Sequence, residues 1–340
     1  MNVGSTSPTS RRTLLHRLLG VKHPTDVRQA MTVGIYLGLL ASMYFVPACR
    51  NVPVYLAACA YSFLTAVVGH NTLHQAMFEA KWKNTVLRYV LSFGGLFPIS
   101  AVIPAHNLVH HHFEDDGQPD WAAPGIVRFR WNLLNLLHFP NVAGPLTFNG
   151  VQRWAAVRGR GSFRRQYTME LVVAFGTTGL LLIHDFWAGL FFVVMPQLWG
   201  ARSFLRINIL QHDGCDVGHG WNHSRNFTGR LFNWLMLNNG YHTAHHSRAG
   251  VHFSELPALH DRDFVPHMDP RLNEASMIAY LVRTYLLPGI RPVAPRASSA
   301  HEEGSERHRP SALPVPAKEA WVDGGDLNAE GERSGSEVAA

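Results

Sequence analysis

Long apolar runs alternate with polar stretches along this chain. Residues 31–48 are apolar, a short turn (Cys49-Arg50-Asn51-Val52-Pro53) follows, and residues 54–69 are apolar again. Each run is slightly short against the roughly 20 residues that cross a bilayer, but within tolerance. Two such runs joined by a turn predict a helical hairpin whose ends share one side of a membrane. Residues 167–183 and 186–200 predict a second hairpin, turning at His184-Asp185. A further apolar stretch, 86–104, is interrupted by Gly94, Gly95, Pro98 and Pro104, which predicts an interfacial or re-entrant segment. Residues 118–166 are polar, with Trp121, Trp131 and Trp154 as interfacial anchors, and read as a surface segment. Residues 272–287 alternate at helical period and predict an amphipathic helix; a short one is expected over 13–19. From Pro292 onward Pro, Ala, Gly, Glu and Ser dominate, which predicts disorder.

Composition sharpens this picture. The 340 residues are 46% hydrophobic but only 16% charged, well below the usual figure of about 25%. That excludes a disordered, collagenous or cytosolic coiled-coil protein. Three cysteines (Cys49, Cys59, Cys215) cannot form a disulfide framework. The net charge is +6 and unevenly placed. Arg11, Arg12, Arg17, Lys22 and Arg28 precede the first apolar run, and Arg128, Arg130, Arg153, Arg158, Arg160, Arg164 and Arg165 fill the middle polar segment. Basic residues beside apolar spans are a topology signal, and no nucleic-acid-binding motif accompanies them. Both connecting turns are nearly free of basic residues, so the positive-inside rule places both termini and every polar region in the cytosol. The expected organisation is a cytosolic basic segment (1–28), a membrane domain (29–290) and a disordered tail (291–340). A soluble protein with buried helical hairpins fits less well, because charge-free stretches of this length are uncommon in soluble cores.

The chain holds 21 histidines, and nine fall into four clusters. His70 and His74 end the second run. His106, His110 and His111 follow the interrupted stretch. Asn208 and His212 follow the fourth run, and His242, His245 and His246 come later. All lie just beyond apolar stretches, on the expected cytosolic side. On a helix, residues three or four apart share a face, with Cβ atoms about 5–6 Å apart, so each cluster can aim at one ion. His111 is turned about 100° from His110. Nine imidazoles exceed what one ion takes and suit two metals. Cysteine pairs are missing, which disfavours structural zinc, and carboxylates are nearly missing, which disfavours magnesium or calcium. Imidazole suits iron, copper, nickel or zinc, and a cationic site with neutral ligands suits oxygen activation by iron.

Taken singly, each cluster reads as ordinary histidine placement, and only the conjunction argues for metal. His16, His23, His138, His184, His267, His301 and His308 have no partner at ligand spacing, and His112 points off its cluster's common face. His219, His223, His252 and His260 read as surface residues. Asp213, Glu114, Asp115 and Asp116 are solvated charges or orient histidine N–H groups. Arg153, Arg158, Arg160, Arg164 and Arg165 anchor the membrane side, or meet an acyl-carrier phosphate, an acidic donor protein or anionic lipid.

The order H-x3-H, H-x3-H-H, N-x3-H, H-x2-H-H, threaded through apolar spans, resembles the membrane fatty acid desaturase and hydroxylase superfamily. The likeness covers roughly residues 30–265, and the segments Asn238-Asn239-Gly240-Tyr241-His242 and Gly250-Val251-His252-Phe253-Ser254 resemble its bacterial members. It implies an all-α, polytopic membrane protein: about four transmembrane helices in two hairpins, with a cytosolic helical cap holding a di-iron site. It implies His70, His74, His106, His110, His111, His212, His242, His245 and His246 as ligands of two iron ions, with Asn208 acting through water. Dioxygen is then a co-substrate. No cytochrome b5 domain is attached, so an external ferredoxin or cytochrome b5-type donor is implied. The substrate is a fatty acyl chain (acyl-CoA, acyl carrier protein, free acid or lipid-bound), and no residue points to where it binds. An acyl desaturase is the leading expectation. Hydroxylation, acetylenation or oxidative decarboxylation to a terminal alkene would use the same ligands. The Arg-rich usage points to a bacterial inner membrane. From another class, a His-rich metal transporter or storage protein would carry polar groups inside its spans, and these spans look almost bare.

Overall fold

A computed structural model describes residues 14–111, 120–216 and 218–287. The expected disorder of the tail, and Glu114, Asp115, Asp116 and His112, lie outside the described residues. A short helix α1 (Leu14–Leu19) leads into α2 (Asp26–Phe45), whose first turn carries Asp26 and Arg28. The turn Pro47–Cys49 connects it to α3 (Val52–His74). Asn51 caps α3 by accepting from the Val54 N–H, and Pro53 sits in the first turn, where its missing N–H costs nothing.

Next, α4 (Lys81–Gly95) ends at Leu96, which adopts a left-handed φ of 54°. A single turn, Ile99–Ala101, and a π-helical segment, Ile103–His110, continue at 93° to α4. Pro98 and the paired glycines thus produce the interruption that the sequence predicts. The bend is fixed by Glu170, which is fully buried and accepts from the Ser100 N–H (2.9 Å), the Ser100 hydroxyl (2.7 Å) and Gln166 (2.8 Å). The spans are therefore less bare than they read, and this carboxylate is tied to architecture.

Residues 132–156 form α5 (Asn132–Ala156), a long helix despite Pro140 and Pro145 within it. The second hairpin comprises α6 (Gly161–His184), then α7 (Phe186–Gly189), a π turn at Leu190–Val194 and α8 (Met195–His212). Short elements follow: α9 (Arg230–Leu235), α10 (His242–Ser247), α11 (Leu256–Asp263) and α12 (Met277–Leu281). The amphipathic helix starts later than 272, because Asn273–Glu274 instead pairs in parallel with Asn226–Phe227 and Ser276 caps α12.

Three helices, Val52–His74, Gly161–His184 and Phe186–His212, are long and apolar enough to cross a membrane, or four if the bent pair is one span. The polar first turn of α2 keeps it out of that set. The bundle centres on α3 against α8. A Cβ on Gly200 of α8 would lie 2.0 Å from the Ser62 hydroxyl of α3, so glycine permits this approach. Cross-links join the rest: Tyr36 donates to the Gly94 carbonyl (3.0 Å), Tyr44 to Leu181 (2.7 Å) and Gln197 to Phe93 (2.6 Å). An apolar core that includes Val67, Val68, Leu91, Ile99, Met236, Leu237, Ala244 and Leu256 underlies the histidine-bearing end.

Candidate metal centre

All nine clustered histidines come together at one end of the bundle. They form two groups, in each of which the nearest ring nitrogens lie within 4.8 Å of one another. The first comprises His70, His74, His106, His111 and His245; the second comprises His110, His212, His242 and His246. α3 brings His70 and His74 on adjacent turns, and α8 brings His212 at its last residue.

The π-helical winding sorts the middle cluster. The His111 N–H bonds the His106 carbonyl five residues back, at 3.0 Å. That wider turn returns His111 toward His106, with Nε2 atoms 3.0 Å apart, and leaves His110 to the second group. An ordinary α-helix would bring His110 closer to that face.

The last cluster rests on a rigid base. Leu237 and Asn238 take positive φ (50° and 59°), and a Cβ on Gly240 would lie 2.2 Å from the Phe227 carbonyl oxygen. Asn226 accepts from the Thr243 N–H (2.9 Å) and donates to its hydroxyl (2.9 Å), which locks α10 from below. His245 and His246 have perpendicular rings, so neighbouring residues serve different groups.

The outer ring nitrogens find acceptors. His110 Nδ1 lies 2.8 Å from Asp120 Oδ2, and His212 Nδ1 lies 3.2 Å from the His223 carbonyl. His70 Nδ1 faces Asn71 Oδ1 (3.2 Å), and His111 Nδ1 faces the His246 carbonyl (3.4 Å). Such acceptors fix the tautomer and turn each Nε2 lone pair inward. The consequence is plain for His110 and His212. Both Nδ1 protons are committed, so two bare lone pairs face each other at 3.2 Å. A cation between them removes that repulsion. Ligand nitrogens about 2.1 Å from one metal lie about 3 Å apart when cis and about 4.2 Å when trans. The Nε2 separations of 2.8 Å (His70–His106) and 2.8 Å (His212–His242) match the cis value. Nε2 of His245 and of His246 are buried without a hydrogen-bond partner among the described residues. The donor set fits metal.

Burial, reinforced by neighbouring imidazoles, pushes His242, His245 and His246 well below the usual histidine range, and burial takes His223 down to about 4. All four stay neutral, as metal ligation requires. Burial opposes ionisation of Asp120, but the His110 imidazole and the Ala122 N–H outweigh it and hold the carboxyl below its usual range. Asp120 is positioned by Trp121, whose ring fills the notch at Gly150, where a Cβ would lie 2.3 Å from it. Asn208 donates to the Ala122 carbonyl at 2.8 Å, which ties α8 to the same turn.

The surroundings correct several expectations. Asp213 pairs with Arg128 at 3.5 Å and does not orient a histidine; Asp120 does. His252 and His260 are buried, not surface residues: His252 meets Asp26 at 3.1 Å and His260 meets Asn273 at 3.0 Å. His223 is largely enclosed beside the second group, its ring 5.7 Å from His246, while His219 is exposed as expected. Arg164 donates to the Ala155 carbonyl (3.0 Å) and Arg160 to that of Trp154, so both close the end of α5. Asp120 carries no local motif; a carboxylate shortly after a histidine cluster is the only signal it offers.

A family model described as fatty acid desaturase matches residues 30–276. Comparison with curated proteins and with solved structures gave no match.

Proposed function

The chain belongs to the fatty acid desaturase family, and from that membership we propose an oxygen-dependent membrane oxidoreductase that inserts a double bond into a fatty acyl chain. Hydroxylation, acetylenation and oxidative decarboxylation remain outcomes available to the same site. The observation that carries the reading is the pair of inward lone pairs on His110 and His212, 3.2 Å apart with both outer protons engaged. Two iron ions held by the nine histidines, with Asn208 acting through water at the second group, would supply the activation of dioxygen needed to attack an unactivated C–H bond.

The chain's own residues do the rest. Asp120, Asn71 and two backbone carbonyls aim the imidazoles. The apolar layer beneath them keeps water from the reacting carbon. The acyl chain reaches this end of the bundle from the bilayer, and electrons come from a separate ferredoxin or cytochrome b5-type protein. The catalytic unit is residues 29–290, with its site facing the cytosol.

Mass spectrometry of lipids and volatile hydrocarbons from expressing cells tests this, with a His245→Ala, His246→Ala variant beside it. New unsaturated acids that vanish in the variant support desaturation. Hydroxylated acids or one-carbon-shorter alkenes reassign the reaction. Purified protein that binds no iron removes the reading altogether.

A further inference from the structure

A buried cluster outside the two histidine groups joins the ends of the ordered chain. Asp26, in the first turn of α2, accepts from Gln29 (2.6 Å), from the His23 N–H (3.2 Å) and from His252 Nε2 (3.1 Å). His252 Nδ1 lies 2.8 Å from the Ser254 hydroxyl, and its ring stacks on half-buried His23 with centroids 4.1 Å apart. Asp26 and His252 are both almost wholly buried.

His252 and Gln29 line one wall of a small cavity. His74 and His245, both of the first group, line another, with Asn71 and exposed Gln75 at the sides. Its volume is about 10 Å³, roughly the space one water needs, and its polar walls give that water partners. A titratable pair thus sits one water away from the candidate metal centre. An ordinary structural ion pair has no need of such a cavity.

We propose that His252 and Asp26, entered through His23, form the proton route to the oxygen-activating site. The inference rests on the oxidase reading above. Desaturation consumes one dioxygen, two electrons from the donor protein and two protons, and releases two waters. Hydroxylation consumes the same and releases one. Electrons arrive from outside, and protons must cross a layer of neutral, buried imidazoles that cannot supply them. His252 passes a proton from Nε2 to the cavity water and is reprotonated from the His23 side, while Asp26 stabilises its charged form. The groups facing His252 and its partner are Asp26, His23, Glu255, His16, His74 and His245. They include two carboxylates that favour a transient imidazolium.

The test uses full-length protein with its iron and a donor. His252→Gln and Asp26→Asn are compared with wild type for iron content, product, hydrogen peroxide and solvent isotope effect, each with and without added imidazole. The expected result is unchanged iron, product formation lower by about tenfold or more, peroxide in place of product, and partial recovery with imidazole in the His252→Gln variant. Histidine C2 hydrogen exchange on the wild-type protein should show His252 reachable by solvent deuterons. Unchanged turnover in both variants, loss that imidazole does not relieve, or a His252 sealed from exchange overturns the route. Wild-type protein that consumes no oxygen with donor and lipid would instead overturn the oxidase reading itself.

Discussion

Asp120 and His110 are joined at 2.8 Å, and both side chains are almost completely buried. No other carboxylate among the described residues contacts a histidine of the two groups. One group is therefore backed by an anion, and the other only by neutral amide oxygens.

Asp120→Ala should therefore weaken metal retention by about 10–100-fold, the usual cost of losing such a partner. Asp120→Asn, which keeps an acceptor oxygen, should lose less. Iron per chain after timed chelator exposure reads the difference. Equal retention in wild type and Asp120→Ala would show that the contact does not tune the site.

Because His245 and His246 serve different groups, each single alanine variant should lower iron content, and the double variant should lower it further. Elemental analysis of the three purified proteins checks this. A double variant that keeps full iron would place the metal elsewhere.

The pH dependence has a definite sign. His223 is held at about 4 in the folded protein against a usual 6.5, and His242, His245 and His246 are also lowered. The unfolded chain binds more protons than the folded one, so stability rises with pH across this interval. Metal-free protein should lose thermal stability as pH falls from about 6.5 toward 4, and iron should leave in the same window. Thermal unfolding in detergent across that range gives the answer, and a flat profile would contradict burial of neutral rings.

Gly200→Ala places a methyl against Ser62 at a site with no room for it. Overpacking of this kind costs about 1–3 kcal/mol. Since α3 and α8 carry His70, His74 and His212, the variant should both melt earlier and hold less iron. An unchanged melting temperature would mean that the helices separate freely.

The sequence made the hairpins legible because apolar length and turn residues are local properties. It made the nine histidines legible because helical spacing is local too. What it hid was spatial. His252 and Asp26 lie 226 positions apart, and no periodicity connects them. α5 was obscured by Pro140 and Pro145, which lower helix propensity on their own but are tolerated where neighbouring helices supply the packing. The allotment of His110 and His111 to different groups depends on π winding, which spacing counted at the α period does not foresee.

Two pairs of chain neighbours, His110–His111 and His245–His246, are each split between the groups. Adjacent Cα atoms are held about 3.8 Å apart by the peptide unit itself. The separation of the two ion positions is thus measured out by a covalent ruler, used twice, and not by the softer fit of one helix against another. Substitutions that loosen the bundle can empty the site, yet any protein still carrying both ions should keep the same magnetic coupling between them. The acyl-binding walls are then free to be recut for a different chain without disturbing the spacing of the pair that does the chemistry.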